Sequence, residues 1–388
     1  MEARQADHRC PREDLLDAAM RIQQFTGPVM AKGLEDTALY RYNRHIALSD
    51  VGSHPDRFTT SIAAFHDFNA ARARTMPNGM LATSSHDTKR SEDARARIAA
   101  LGRHAEAWSA AVGQWQSTLV AEGAPPIAPN DAYHFFQLLV GSWPTTLEGT
   151  DCAGIAAFRD RLDAAMLKSV REARMHTNWI VPRSDYEQQV SRFVATALGS
   201  RRFVDAVLAF EAQVARDGAR NGLIVTVLKA TSPGIPDIYQ GAEFWEQSMV
   251  DPDNRRPVDF AARIAALDNP ARPGDVADGW RTGAIKQRVL ADLLALRARH
   301  PDLFARGSYE PLPQATAGTL AFLRRHDGVA LLVAVQLQVA GAGDLDPDRL
   351  RLPSGLARDA FEPVLALGDG GPLGRLPVHA AMAGDRSR

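Results

Sequence analysis

From residue 92 to about residue 218 the chain carries helical periodicity almost without a break, and this stretch stands between two short apolar runs that read as strands. Phe158, Leu162, Ala165 and Met166 recur at helical spacing, as do Val190, Phe193 and Val194. Pro125-Pro126 and Pro144 punctuate the run. Upstream, the turn signal Pro77-Asn78-Gly79 leads into Met80-Leu81-Ala82, which ends in Ser84-Ser85-His86-Asp87. Downstream, Pro233-Gly234 leads into a run from Ile235 to Tyr239, followed by a polar loop from Gln240 to Asp259. A short buried strand closing on polar residues fits a parallel sheet whose active edge lies at the strand ends. Leu223 to Leu228 is ambiguous: its β-branched residues favour a strand, yet Leu223, Val227 and Leu228 share a helix face.

The flanks complete the plan. Residues 58–75 read as a helix of small residues, and the dense stretch from Gln23 to Gly52 reads as loop, with one strand near 28–32. A further helix is expected from about Gly283 to His300, with Ile285, Val289, Leu293 and Leu296 on one face. After Gly307 the period falls to two. Val329, Leu331, Val333, Val335 and Leu337 alternate with their neighbours, and Asp327-Gly328 joins them to Leu320–Arg325 as a hairpin. A small antiparallel β domain is therefore expected from about 306 to the end.

Charge excludes several functions. Forty-five basic residues against 46 acidic ones give a formal charge of -1, which offers no footprint for nucleic acid or an anionic membrane. No apolar run approaches the roughly 18 residues of a membrane span. The start, MEARQADHRCPRED, has no apolar core of a secretory signal, so a cytoplasmic location follows by default. Cys10 and Cys152 give neither a zinc cluster nor a disulfide framework. There is no Walker-type phosphate loop, no strand-linked GxGxxG and no GxSxG elbow.

The residues that can carry chemistry fall in three places. His86-Asp87 sets a carboxylate beside an imidazole at a strand end, where both can bind sugar hydroxyls, although such a doublet also serves as a local cap. Lys89-Arg90 follows. A cation pair there can hold Asp87 ionised and donate to hydroxyls, or simply solvate a helix start. Lys32, Glu35, Asp36, Arg41 and Tyr42 form the densest polar and aromatic cluster, suited to stacking and hydrogen bonding with a pyranose or to a salt-bridged surface. Asp251-Pro252-Asp253-Asn254-Arg255-Arg256-Pro257 is a rigid charged loop. Its oxygens suit Ca²⁺, but the spacing is not that of an EF-hand and the adjacent arginines disfavour a cation, which leaves Asp251 and Arg255 as sugar contacts or structural residues and no metal site. Trp108, Trp143 and Trp179 are either stacking platforms or core.

Together these pieces resemble the maltooligosyltrehalose synthases of the α-amylase superfamily. QQFTGPVMAKGLEDTALYRYNRH with LSDVGSHPDRF, MLATSSHDTKRSEDARARI, REARMHTNWIVPRSDYE and TSPGIPDIYQGAEFWEQSMVDPDNRRPVDF look like stretches of that family in order. LLALRARHPDLF and AFLRRHDGVALLVAV are similar to its last barrel helix and the start of its C-terminal β domain. The likeness runs from about Arg21 to Leu337 and fades over PVHAAMAGDRSR; His45 departs from the pattern in the signature loop.

The resemblance implies an α/β fold, the C-terminal part of a (β/α)₈ barrel. Residues 1–91 would hold about strands six and seven, 92–218 a helical insertion, 219–305 strand eight and the last helix, and 306–388 the β domain. It implies an isomerase that turns the reducing-end α-1,4 link of a maltooligosaccharide into an α,α-1,1 link, with no cofactor. Asp87 would be the third carboxylate, stabilising the transition state, with His86, Lys89 and Arg90 as substrate contacts. The nucleophile Asp and acid/base Glu of the family would lie before Met1. The chain is thus expected to be inactive alone and to pair with the missing N-terminal half. Another glucanotransferase or hydrolase of the superfamily, or a glucan-binding remnant, are the alternatives.

Overall fold

The computed structural model describes residues 11–268, 279–339, 342–365, 373 and 376–384. Helices α1 (Arg12–Pro28), α2 (Ile62–Thr75), α3 (Glu92–Ala100), α4 (Ala105–Ala121), α5 (Pro129–Ser142), α6 (Cys152–Ala173), α7 (Ser184–Gly199) and α8 (Arg201–Thr231) precede α9 (Phe260–Asp268), α10 (Ala284–Arg299) and α11 (Pro301–Arg306). Two strands of two residues, β1 (Met80–Leu81) and β2 (Ile235–Pro236), pair in parallel. A five-stranded antiparallel sheet follows, built from β3 (Glu310–Pro311), β4 (Thr319–His326), β5 (Val329–Gln336), β6 (Glu362–Pro363) and β7 (Val378–Ala383), in the order β3-β4-β5-β7-β6.

The helical stretch forms as its periodicity predicts. Phe158, Leu162, Ala165 and Met166 of α6 face Val190, Phe193 and Val194 of α7 in one core with Trp108, Trp115 and Trp143. Glycines let the helices approach through their backbones. A Cβ built on Gly218 of α8 would lie 2.8 Å from Arg97 Cα of α3, and one on Gly141 of α5 would lie 2.5 Å from Ile98 Cγ1. The ambiguous run from Leu223 to Leu228 is helical and buried. It belongs to α8, which passes straight through the boundary drawn at 218/219.

The C-terminal sheet matches its period-two pattern. Leu331, Val333 and Val335 face a core shared with Leu223, Val227, Val289 and Leu293, while Leu332 and Ala334 face a smaller cluster with Leu323 and Leu350. Asp327 (φ 45°) and Gly328 (φ 82°) make the tight turn expected of the hairpin, pairing His326 with Val329. Arg324, buried in this sheet, donates to the carbonyls of Thr231, Phe304 and Ser308, which fastens the ends of α8 and α11 to β4.

Two expectations need correction. The stretch from Gln23 is helical as far as Arg41, so the loop begins only at Tyr42. Within it, residues 28–32 are no strand: Val29–Ala38 winds as a π-helix running on from α1. No strand among the described residues pairs with it, so the segment satisfies its own backbone groups locally. The runs at 80–85 and 235–239 do pair, but over two residues each.

Candidate functional site

The loop from Ala82 to Arg90 is held in place by residues far away in sequence. Buried Asp50 accepts from the backbone N of Lys89 at 3.1 Å and of Arg90 at 3.2 Å. Asn254 donates its side-chain N–H groups to the carbonyls of Ser85 (3.3 Å) and His86 (3.1 Å), and Arg90 bridges to Met249. The 249–254 loop and the 46–50 loop thus grip the His86-Asp87 turn from two sides. Each grip satisfies a backbone group that a turn would otherwise leave to water. His86 and Asp87 themselves stay exposed at the apex.

Three of the predicted residues meet in one ionic chain. Lys89 Nζ, almost wholly buried, donates to Asp36 Oδ1 at 2.8 Å, and Lys32 donates to the other carboxylate oxygen. Burial pushes the Asp36 carboxyl upward, but the two lysine hydrogen bonds outweigh it and hold it below the usual range. Lys32 is raised in return by its hydrogen bond to Asp36, with smaller pulls from Glu172 and Asp87. Asp87 therefore lies within electrostatic reach of this chain. Lys89 also lies over the Tyr40 ring, 5.6 Å from its centroid, and burial drives the Tyr40 phenol upward.

The other candidates divide. Arg41 Nε donates to the carbonyl of Ala173 at 2.6 Å, closing the end of α6 against the signature segment. Tyr42 is half-buried, with the Arg44 guanidinium 5.9 Å from its ring centroid, and Glu35 is half-buried on the same helical segment as Asp36. Asp251 takes an ion pair from Lys168 of α6 and lies 3.6 Å from Arg255. Arg90 is fully buried and donates to the carbonyls of Ile46 and Ser49, which anchors the 46–49 loop. Lys89 does not pair with Asp87 as the sequence suggested; its partner is Asp36. Trp108 and Trp143 are core, whereas Trp179 is half exposed beneath the Arg171 guanidinium.

Sequence reasoning missed the charged core immediately behind this loop. Lys286 of α10 donates to Glu92 Oε1 at 2.7 Å and Asp93 Oδ2 at 2.6 Å, while Lys229 of α8 donates to Glu92 Oε2 at 2.9 Å. Burial raises the Asp93 carboxyl to about 6 despite Lys286, while the two lysines overcome burial and hold Glu92 below its usual range. The lysine partners lie 137 and 194 residues downstream, which no local pattern reveals. Asp50 and Asn254 stood within quoted segments without a signal of their own. Among the described residues no cluster of His, Cys, Asp or Glu has the arrangement of a metal site, and no helix is long and apolar enough to cross a membrane. A cavity of about 780 Å³ lies elsewhere, between α10 and β6–β7, lined by Arg299, His300 and Glu362.

No protein-family model matches the chain. Two Mycobacterium tuberculosis proteins, from strains CDC 1551 and H37Rv, that carry the name maltooligosyl trehalose synthase are each 36% identical to it over 362 residues, covering 91% of this chain and 43% of theirs. Among solved structures, a maltooligosyl trehalose synthase superposes with a TM-score of 0.80 at 30% identity, covering 96% of this chain and 49% of that one. One described as a hypothetical maltooligosyl trehalose synthase of Sulfolobus tokodaii gives 0.74 at 34% identity, covering 86% and 44%. The Arthrobacter ramosus maltooligosyltrehalose synthase gives 0.70 at 33%, covering 95% and 47%. The chain spans less than half the length of the curated relatives it matches. With this likeness along nine-tenths of its residues, the chain belongs to the maltooligosyltrehalose synthase family.

Proposed function

We propose that this chain supplies one wall of the glucan site of an enzyme that isomerises the reducing-end α-1,4 link of a maltooligosaccharide to an α,α-1,1 link. The observation that carries the reading is the Lys89–Asp36 contact at 2.8 Å, which brings the 23–45 segment and the SSHDTKR loop into one polar patch with Asp87 at its edge. In this reading the chain folds into the C-terminal part of a (β/α)₈ barrel in which β1 and β2 are two of the eight strands. The domain plan is then a barrel segment to residue 91, a helical insertion, a return to the barrel near β2, and a C-terminal β domain.

The chemistry follows from what Asp87 can and cannot do. Retaining transfer needs a nucleophile and an acid/base carboxylate roughly 5–5.5 Å apart across the scissile bond. Asp87 is a single carboxylate, assigned here to hydrogen bonds with ring hydroxyls that tighten as positive charge develops at the anomeric carbon. His86 sits beside it as a second hydroxyl partner. Lys89, fixed by Asp36, is assigned to the departing glucose, whose 1-OH must attack the glycosyl-enzyme in place of water. Lys32, Asp36, Glu35, Arg41 and Tyr42 line the approach from the signature segment, and Asp251 and Arg255 from the opposite loop. The nucleophile and acid/base belong to the part of the family's length that this sequence does not span, and no cofactor enters.

The test is reducing-end loss from maltopentaose. The purified chain alone is expected to give none, and the chain joined to the remainder of a family member is expected to give a non-reducing product. Turnover by the chain alone overturns the division of labour. An active assembly that only hydrolyses favours a different glucan-active enzyme of the superfamily, and an inactive assembly favours a glucan-binding remnant.

A further inference from the structure

We propose that Trp179, on the loop that follows α6, is a stacking platform for the α-1,4-glucan chain where it runs out from the reacting units. The inference rests on the functional reading above for its ligand and on geometry for its place. The chain has six tryptophans. Trp108, Trp115, Trp143 and Trp280 are buried, and Trp245 is half-buried with its indole N–H donating to the carbonyl of Trp280 at 2.6 Å. Trp179 alone among them is exposed, at 50%. Its loop is nevertheless tightly tied. Arg174 takes a left-handed conformation (φ 54°) and ends the helix. Asn178 Oδ1 accepts from the backbone N of Ile180 at 2.9 Å and of Val181 at 2.8 Å. Thr177 Oγ1 accepts from Arg183 N at 2.9 Å and donates to Glu187 Oε1 at 2.7 Å. Arg171 grips Glu187 through two bonds of 2.9 and 2.7 Å, and its guanidinium carbon lies 4.8 Å from the Trp179 ring centroid.

The pinned guanidinium backs the indole, and half of the residue's surface stays open. A ring oriented in advance binds without the cost of ordering it. The face of an aromatic ring is apolar and electron-rich, which suits the C–H face of a pyranose, while the hydroxyls at the sugar's edge need polar partners. The same loop leads into such partners in Arg183 and Asp185, both exposed and 2.9 Å apart. Continuity with the polar patch identifies the occupant. Lys168 of α6 donates to the carbonyl of Asp251 at 3.1 Å, Ala173 accepts the Arg41 bond at 2.6 Å, and Glu172 lies within electrostatic reach of Lys32. The end of α6 thus borders three residues assigned to the substrate, and the Trp179 loop continues directly from it. A glucan leaving the patch on this side meets the indole next.

The probe is maltoheptaose, added to the whole chain, because stacking needs no turnover. Isothermal titration is expected to show saturable binding at millimolar concentration or below, and the sugar is expected to shield the Trp179 fluorescence from iodide. Trp179→Ala should weaken binding about tenfold. Trp179→Phe should keep most of the binding and lose the fluorescence signal, and Asn178→Ala, which frees the loop, should fall between the two. Val120→Asp, on the exposed face of α4, should leave binding unchanged. Circular dichroism of each variant separates a lost contact from a lost fold. In the reassembled enzyme, Trp179→Ala should raise KM for maltoheptaose and spare kcat. The proposal is overturned if the folded chain does not bind maltoheptaose, if Trp179→Ala binds as well as the parent, if that variant lowers kcat with KM unchanged, or if light scattering shows a dimer that it dissociates. Binding that follows this pattern, in an assembly that yields no non-reducing product, counts against the functional reading and not against the platform.

Discussion

Replacing Lys286 by methionine keeps most of the side-chain volume and removes the cation between Glu92 and Asp93. In the fold, Lys286 Nζ lies 2.7 Å from one carboxylate and 2.6 Å from the other, and all three groups are buried. Lys229 remains, but it reaches only Glu92. Breaking a buried pair from one side costs about 3–5 kcal/mol, because the stranded charge cannot be rehydrated. For a chain of 388 residues, with an unfolding entropy of about 2.1 cal/mol/K per residue, about 4 kcal/mol lowers the Tm by about 5 °C. The sign of the pH effect follows from Asp93. Its folded pKa of about 6 lies above the free value of 3.8, so the native state holds the proton more tightly. Its contribution therefore disfavours folding progressively as pH rises through roughly 4 to 6, and fully above that. Without Lys286 that pKa climbs further and the window extends towards neutrality. Glu92, whose folded pKa is depressed, contributes stability above its free value of 4.5, and it loses part of that with Lys286. The variant's deficit should thus be larger at pH 8 than at pH 5. Thermal unfolding followed by circular dichroism at the two pH values measures it. A Tm within about 1 °C of the parent at pH 8, or an equal loss at both pH values, would refute the reasoning.

Gly218→Ala places a methyl 2.8 Å from Arg97 Cα, a backbone contact that cannot rotate away, so denaturant unfolding should show a loss of roughly 1–3 kcal/mol where an exposed helical glycine would gain. Asp87→Asn touches an exposed side chain and should leave the stability of the chain within about 0.5 kcal/mol, while lowering kcat of the reassembled enzyme by orders of magnitude with little change in KM. Lys89→Ala in the same assembly should shift product from the α,α-1,1 link towards hydrolysis, read as reducing ends released per maltopentaose consumed; an unchanged ratio removes the assigned role.

The elements that declare themselves in sequence are those whose neighbours are local. The β4–β5 hairpin carries its turn in Asp327-Gly328 and its core face in Leu331, Val333 and Val335, and α6 carries Phe158 and Leu162 at helical spacing, so each forms as expected. Residues 28–32 form no strand because strand character is lent by an adjacent edge, and no strand among the described residues pairs with them. The motif around His86-Asp87 does not reveal which cation serves which carboxylate. Arg90 and Lys89 are adjacent in sequence and point into different surroundings, one into backbone carbonyls and the other onto Asp36. The Glu92-Asp93-Lys229-Lys286 core was illegible for the same reason, since three helices must pack before those charges meet.

Helix α8 runs for 31 residues, about 46 Å of unbroken backbone. Its first half contributes Phe203, Val207 and Phe210 to the core of the helical body, and its second half contributes Leu223, Val227 and Ala230 to the core beneath the sheet. A rod shared in this way couples the two cores mechanically, because loosening either frees a length of helix that the other depends on. The helical stretch from 92 to 218 is therefore no detachable module. Cutting the chain at residue 218 would split a load-carrying beam, leaving both pieces with a torn hydrophobic face. Evolution could lengthen or shorten the loops around this beam far more cheaply than it could move the two bodies apart.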